Sequence, residues 1–165
     1  MLRWLRPSSQ VSTVYDIDLI ALRARGIRGV ILDLDNTIVP WGVHEVSPRL
    51  SVWIAAAQDA DLRLCIVSNN MGSRVMSIAD RLGLPIVVGA LKPRRGALRR
   101  ALTVMGTTPE ATALVGDQLL TDILGGNRLG LHTILVRPQG QREFMLTRLV
   151  RLLERFLLRG GSGDR

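Results

Sequence analysis

Lysine is almost missing from this chain. Of its 22 basic residues, only Lys92 is a lysine and all the others are arginines. An arginine-rich genome can produce such a bias without any function, but it does not explain why one position kept lysine. Cysteine is scarce too. Cys65 stands alone inside an apolar run, so no internal disulfide can form, which fits a buried thiol in a reducing compartment. Aromatic residues make up only 4% of the chain. No basic stretch is interleaved with the aromatic side chains on which bases stack, which argues against a nucleic-acid partner. No apolar run approaches the roughly 18 residues that a membrane-crossing helix needs. The opening MLRWLRP is basic and apolar but too short for the apolar region of a secretory signal. The expected location is cytoplasmic.

What is present bounds the answer further. At 165 residues and 47% hydrophobic content, the chain is long enough for one domain with one core. Its net charge of +8 points to an anionic partner: nucleic acid, an anionic membrane surface or a phosphorylated substrate.

The chain alternates between two periodicities. Residues 29–37 read GVILDLDNT. Val30, Ile31 and Leu32 suit a short strand buried on both faces, and Asp33, Asp35, Asn36 and Thr37 end it. Further buried strands are expected at 62–67, 85–88, 111–115 and 133–136. Helices are expected at 17–25, stopped by Gly26, and at 47–60. The second of these has Ser47 as N-cap, Pro48 in its first turn, and Val52, Ala55, Ala56 and Ala60 on one side. Others are expected at 72–82, closed by Gly83, and from Pro93 to near Gly106. Thr107 and Glu110 have the spacing of a capping box, and a helix through Asp122 should fray at Gly125 and Gly126. Strands alternating with helices predict an α/β fold with a parallel sheet and right-handed crossovers.

In a parallel sheet all strand ends of one kind lie along one edge, where α/β proteins bind ligands. The ends here carry Asp33 and Asp35, then Ser68 and Asn69, then Lys92, then Asp117 and Asp122. DxDxT alone reads equally well as turn residues capping a strand. Convergence of all four ends changes that. Four carboxylates repel one another unless a cation sits among them, and hard oxygen donors without His or Cys point to Mg²⁺. His44 and His132 are read as loop and core residues. Lys92 adds a compact charge with three donors, suited to a phosphate.

In this order, DLDNT, SNN, KP and GDQLLTD resemble the four motifs of the haloacid dehalogenase superfamily. YDIDLIALRARGIRGVILDLDNTIVPW and VGDQLLTDILGGNRLG are similar to its YqeG-like family, a capless branch of subfamily IIIA related to phosphatidylglycerophosphatases. The resemblance implies a three-layer Rossmann-like sheet of about five strands in the order 5-4-1-2-3. It implies Asp33 as the nucleophile that becomes an aspartyl-phosphate and Asp35 as general acid and base. It implies Mg²⁺ held by Asp33, the main-chain carbonyl of Asp35, and Asp117, with Asp122 nearby. Ser68 and Lys92, with Asn69 beside them, would hold phosphate oxygens. The implied substrate is a phospholipid headgroup, phosphatidylglycerophosphate.

Spacing speaks to access. From Asp33 to Ser68 is 35 positions and from Ser68 to Lys92 is 24, and both gaps are filled by expected elements. Neither leaves room for a lid domain, so the site is open to large or surface-bound substrates. Residues 1–160 are expected to form one domain, and 161–165 a flexible tail. At the end of that domain, a helix over 142–159 would place Arg148, Arg151, Arg155 and Arg159 on one face, with Met145, Leu149, Leu152, Leu153 and Phe156 opposite. The plain reading is a surface helix with a solvated polar face; the sharper one is peripheral contact with anionic lipid, with help from Trp4 and Trp41. Two other functions compete: a phosphatase of nucleotides or nucleic-acid ends, and a non-catalytic module for anionic membrane or RNA.

Overall fold

The computed structural model describes residues 2–140. A short 3₁₀ turn, Leu2–Leu5, leads into a two-residue strand β1 (Ser9–Gln10). The remaining elements are α1 (Leu19–Ala24), β2 (Gly29–Leu32), α2 (Pro48–Asp59), β3 (Arg63–Val67), α3 (Ser73–Leu82), β4 (Ile86–Val87), α4 (Gly96–Met105), β5 (Thr112–Gly116), α5 (Leu124–Leu129) and β6 (His132–Leu135). All strand pairs are parallel, and the order across the sheet is β1-β6-β5-β2-β3-β4. This is the expected order, with β1 added at one edge. β2 lies in the middle, paired to β3 and β5.

The pleat divides the core in two. Val30 and Leu32 of β2 join Leu64, Ile66, Ala113 and Val115 on one face, under α2 and α3. Ile31 joins Cys65, Val67 and Leu114 on the other, against α4. Alternate residues of one strand thus feed opposite layers, which is why the central runs are apolar throughout. Burial pushes the Cys65 thiol up to about 11, so this cysteine is an inert core residue.

Several local expectations are corrected. Helix α2 buries Leu50, Trp53, Ile54 and Ala57, while Val52, Ala55 and Ala56 face out. Both sets have helical spacing, and the bulkier one takes the core. Pro93 does not open α4, which starts at Gly96; Pro93 follows Lys92 through a cis peptide bond. No helix follows Thr107. Its hydroxyl instead meets that of Thr112 at 2.9 Å, across a turn leading into β5. Gly125 and Gly126 do not fray. They sit inside α5 because the helix crosses the sheet closely: a Cβ on Gly126 would lie 2.6 Å from Thr133 Cγ2. The helix expected over 142–159 and the tail at 161–165 lie outside the described residues.

Candidate active site

β2 stops at Leu32, and the Asp33 amide makes one last ladder bond to the Val115 carbonyl at 2.9 Å. The chain then turns back through Asn36, which takes a left-handed conformation (φ 63°) that Asn tolerates better than most residues. The Asn36 side chain accepts from the Trp41 amide at 2.9 Å, which fixes the loop. The turn swings Thr37 back under Asp33. The Thr37 hydroxyl lies 2.8 Å from Asp33 Oδ2 and 3.1 Å from Asp117 Oδ1, with one proton to share between two acceptors.

Lys92 enters from the loop after β4. Its ammonium faces three acceptors: Asp33 Oδ1 at 2.5 Å, Asp122 Oδ1 at 2.7 Å and the Val67 carbonyl at 3.1 Å. Two of these contacts are hydrogen bonds, and the one to Asp122 is an ion pair. Burial opposes the charge on Lys92, but the carboxylates of Asp122 and Asp33 outweigh it and hold the amine above its ordinary value. Asn69 anchors this loop by accepting from the Lys92 amide at 2.9 Å. Ser68 is buried beside it, and its hydroxyl accepts from the Asn70 amide at 3.0 Å.

Asp117 and Asp122 follow β5, where a π-helical turn (Leu119–Ile123) carries Asp122 back over Gly116. A Cβ on Gly116 would lie 2.4 Å from the Asp122 Cβ, so only glycine permits this approach. The Gln118 amide donates to Asp122 Oδ2 at 3.2 Å. Burial, together with the charges of Asp33 and Asp122, pushes Asp117 up to about 8. Burial also raises Asp122, to about 6, against the pull of Lys92.

Asp33, Asp117 and Asp122 each offer a carboxylate oxygen within 4.8 Å of the others. Asp117 Oδ2 is buried and has no hydrogen-bond partner among the described residues. Orphaned buried carboxylate oxygens are costly, and a hard cation would satisfy this one. Formal charge agrees: among the described residues, the three clustered carboxylates carry three negative charges against the one positive charge of Lys92, leaving two for a divalent ion to balance. The Asp35 carboxylate is turned away from this cluster and paired with Arg74 on α3.

The structure therefore brings together Asp33, Ser68, Lys92, Asp117 and Asp122, with Asp35 and Asn69 at the margin. It gives the threonine of DxDxT a place and adds two residues that the sequence did not single out. Thr37 bridges two carboxylates. Arg74 holds Asp35, donates to the Val43 carbonyl at 2.9 Å, and has its guanidinium 5.5 Å from the centre of the Trp41 ring. Gln139 donates to the Thr37 carbonyl at 2.7 Å, closing the site from the loop after β6. One arginine among many, and a glutamine more than a hundred positions from Thr37, carry no sequence signal.

A model of mitochondrial PGP phosphatases matches residues 2–84, and a HAD-hydrolase-like model matches residues 90–147. The chain is 39% identical over 156 residues to the probable phosphatase YqeG of Bacillus subtilis, covering 94% of this chain and 91% of that one. It belongs to the YqeG-like family of the haloacid dehalogenase superfamily. Like that family, it is a phosphatase, a phosphoric monoester hydrolase. It is also 31% identical to the chloroplastic phosphatidylglycerophosphate phosphatase 1 of Chlamydomonas reinhardtii, over 80% of this chain and about half (52%) of that protein. The fold is similar to that of a cobalt-bound deoxy-D-mannose-octulosonate 8-phosphate phosphatase from Haemophilus influenzae (TM-score 0.56, 20% identity, 68% of this chain and 69% of the other). No described helix is long and apolar enough to cross a membrane.

Proposed function

We propose that the protein is a Mg²⁺-dependent phosphatase that removes the terminal phosphate of phosphatidylglycerophosphate through an aspartyl-phosphate on Asp33. The observation that carries the chemistry is the setting of Asp33. One of its oxygens faces Lys92 and the other faces Thr37, so the carboxylate is held in place. A carboxylate so held attacks phosphorus, the bond to the leaving oxygen breaks, and Asp35 gives that oxygen its proton. Asp35 then takes a proton from water, the water attacks phosphorus, and Asp33 is released with inorganic phosphate. Asp33, Asp117 and Asp122 would supply carboxylates for Mg²⁺, with the Asp35 carbonyl as a further donor. The ion would neutralise phosphate oxygens as charge builds on them. Ser68 and Lys92 bind the remaining phosphate oxygens, and Asn69 keeps Lys92 in place.

The lipid substrate is supported by the Chlamydomonas relative, a phosphatidylglycerophosphate phosphatase, and by the absence of a lid domain among the described residues. The loop, α2 and β3 occupy the first gap and α3 and β4 the second. The test is phosphate release by purified protein from phosphatidylglycerophosphate in mixed micelles, with Mg²⁺ or with EDTA. Nucleotides and sugar phosphates serve as competitors. Turnover of the lipid well above the others, lost in EDTA, is expected. Preference for a nucleotide would overturn the lipid reading.

A further inference from the structure

The large exposed apolar side chains are not scattered evenly. Trp41 (40%) and Val43 (38%) lie in the loop after β2, Met71 (73%) in the loop after β3, Leu91 (54%) in the loop after β4, and Leu119 (43%) after β5. Each of the four loops that follow β2, β3, β4 and β5 thus presents at least one. Because those strands are parallel, the four loops share one edge of the sheet, the edge that holds the site. Other such residues, Ile20, Val52, Met76 and Val104, sit singly on helices.

Each rim residue is tied to a group in the site. Leu91 immediately precedes Lys92 and holds a left-handed backbone (φ 50°). Leu119 is two positions after Asp117. Met71 packs over the turn at Gly89, where a Cβ would come within 3.1 Å of its sulfur. Trp41 and Val43 are tied to Arg74, the partner of Asp35. The carboxylates are buried beneath this rim. Arginines stand beside it: Arg94, Arg95 and Arg128, with Pro93, line a cavity of about 280 Å³ next to Lys92.

An apolar rim flanked by arginines around a recessed polar site matches the boundary of a bilayer. There, hydrocarbon lies beneath anionic phosphates, and apolar side chains enter about 5–10 Å. We infer that Trp41, Val43, Met71, Leu91 and Leu119 form a docking surface that seats the site on a bilayer carrying anionic phospholipid, with the neighbouring arginines on the headgroups. This rests on the reading of the substrate as a phospholipid.

The test uses the full chain, sedimented with vesicles of phosphatidylcholine and phosphatidylglycerol at 3:1. The triple variant Met71→Ser, Leu91→Asn, Leu119→Ser should bind at least thirtyfold more weakly, since burying one such side chain is worth roughly tenfold and these three are only partly inserted. The loss should persist in 1 M salt, where the Debye length is about 3 Å and arginine contacts are screened. Hydrolysis of p-nitrophenyl phosphate should stay within twofold of wild type. Unchanged vesicle binding by an active variant overturns the docking surface and leaves the phosphatase standing. Binding lost by the variant when wild type hydrolyses no phospholipid supports the surface and overturns the substrate. A wild-type dimer that the variant dissolves, with no vesicle binding in either, assigns the rim to a second copy and overturns the proposal. As a check independent of the triple variant's folding, Leu119→Cys and Val104→Cys are each labelled with a polarity-sensitive dye, Cys65 being buried. Vesicles should blue-shift the dye at 119 and not at 104; the reverse overturns the proposal.

Discussion

Lys92 Nζ lies 2.5 Å from Asp33 Oδ1, so the one lysine of the described chain is spent on the carboxylate proposed as nucleophile. A second donor goes to the Val67 carbonyl, and the ammonium also forms an ion pair with Asp122. A guanidinium is planar and larger, and it cannot point three donors at this tripod. Lys92→Arg keeps the charge and should still lose about a hundredfold in kcat, the cost of misplacing reacting groups by about 1 Å. Steady-state kinetics on p-nitrophenyl phosphate measures it. Wild-type turnover in this variant would mean that Lys92 neutralises charge without positioning Asp33.

Asp33→Asn should abolish turnover while the fold persists. An amide keeps the shape and can still meet Thr37 and Lys92, but it does not attack phosphorus. Residual activity above a few per cent of wild type would exclude a covalent intermediate on Asp33. Circular dichroism of the same sample guards against misfolding.

Asp117 gives a pH dependence with a definite sign. Its carboxyl is pushed up to about 8 from an ordinary value of 3.8. Between those values the folded protein holds a proton that the unfolded chain has lost, so metal-free stability falls as pH rises through that window. Asp122, raised to about 6, acts in the same direction over the lower half. In EDTA, Tm should drop from pH 5 to pH 8. Asp117→Asn should flatten the upper half of that drop, and Mg²⁺ should raise the wild-type Tm most at the alkaline end, where the carboxylates are bare. A wild-type Tm unmoved by Mg²⁺ at pH 8 would count against a metal among these acids.

The sequence disclosed the chemistry better than the supports. Asp33, Ser68, Lys92 and Asp117 were legible because each directly follows a short apolar run, and a parallel sheet delivers such positions to one edge. β1 was not legible: two residues are too few to show a period. The buried face of α2 was ambiguous because Leu50, Trp53, Ile54 and Ala57 and the exposed Val52, Ala55 and Ala56 are both helically spaced. Gly125 and Gly126 read as a stop, yet close packing of α5 on Leu114 and Thr133 requires glycine at position 126, inside the helix. Arg74 and Gln139 act through tertiary contacts that no local pattern encodes.

Gly116 offers a test of the packing under the site. Gly116→Ala would place a methyl 2.4 Å from the Asp122 Cβ and Cγ, so Asp122 must move and its pairing with Lys92 must loosen. Overpacking of this kind costs about 1–3 kcal/mol of stability. The apparent Mg²⁺ affinity, read from the rate against Mg²⁺ concentration, should fall about tenfold or more. Unchanged Mg²⁺ dependence would place Asp122 outside the metal's surroundings.

Arg74 pairs with Asp35 and also reaches the Val43 carbonyl, so it fixes the acid against the loop after β2. Without it, the Asp35 carboxyl loses the ion pair that fixes its position against that loop. The consequence depends on the leaving group. An alkoxide needs a proton as it departs, whereas p-nitrophenolate leaves well without one. The ratio kcat/KM reports only steps through formation of the aspartyl-phosphate, so it isolates the acid role from the later activation of water. Arg74→Ala should lower kcat/KM about ten- to a hundredfold for glycerol phosphate and less than threefold for p-nitrophenyl phosphate, with Arg74→Lys between wild type and alanine. A merely structural role would lower both substrates equally. Equal losses would therefore return Arg74 to the fold and leave Asp35 oriented by other groups.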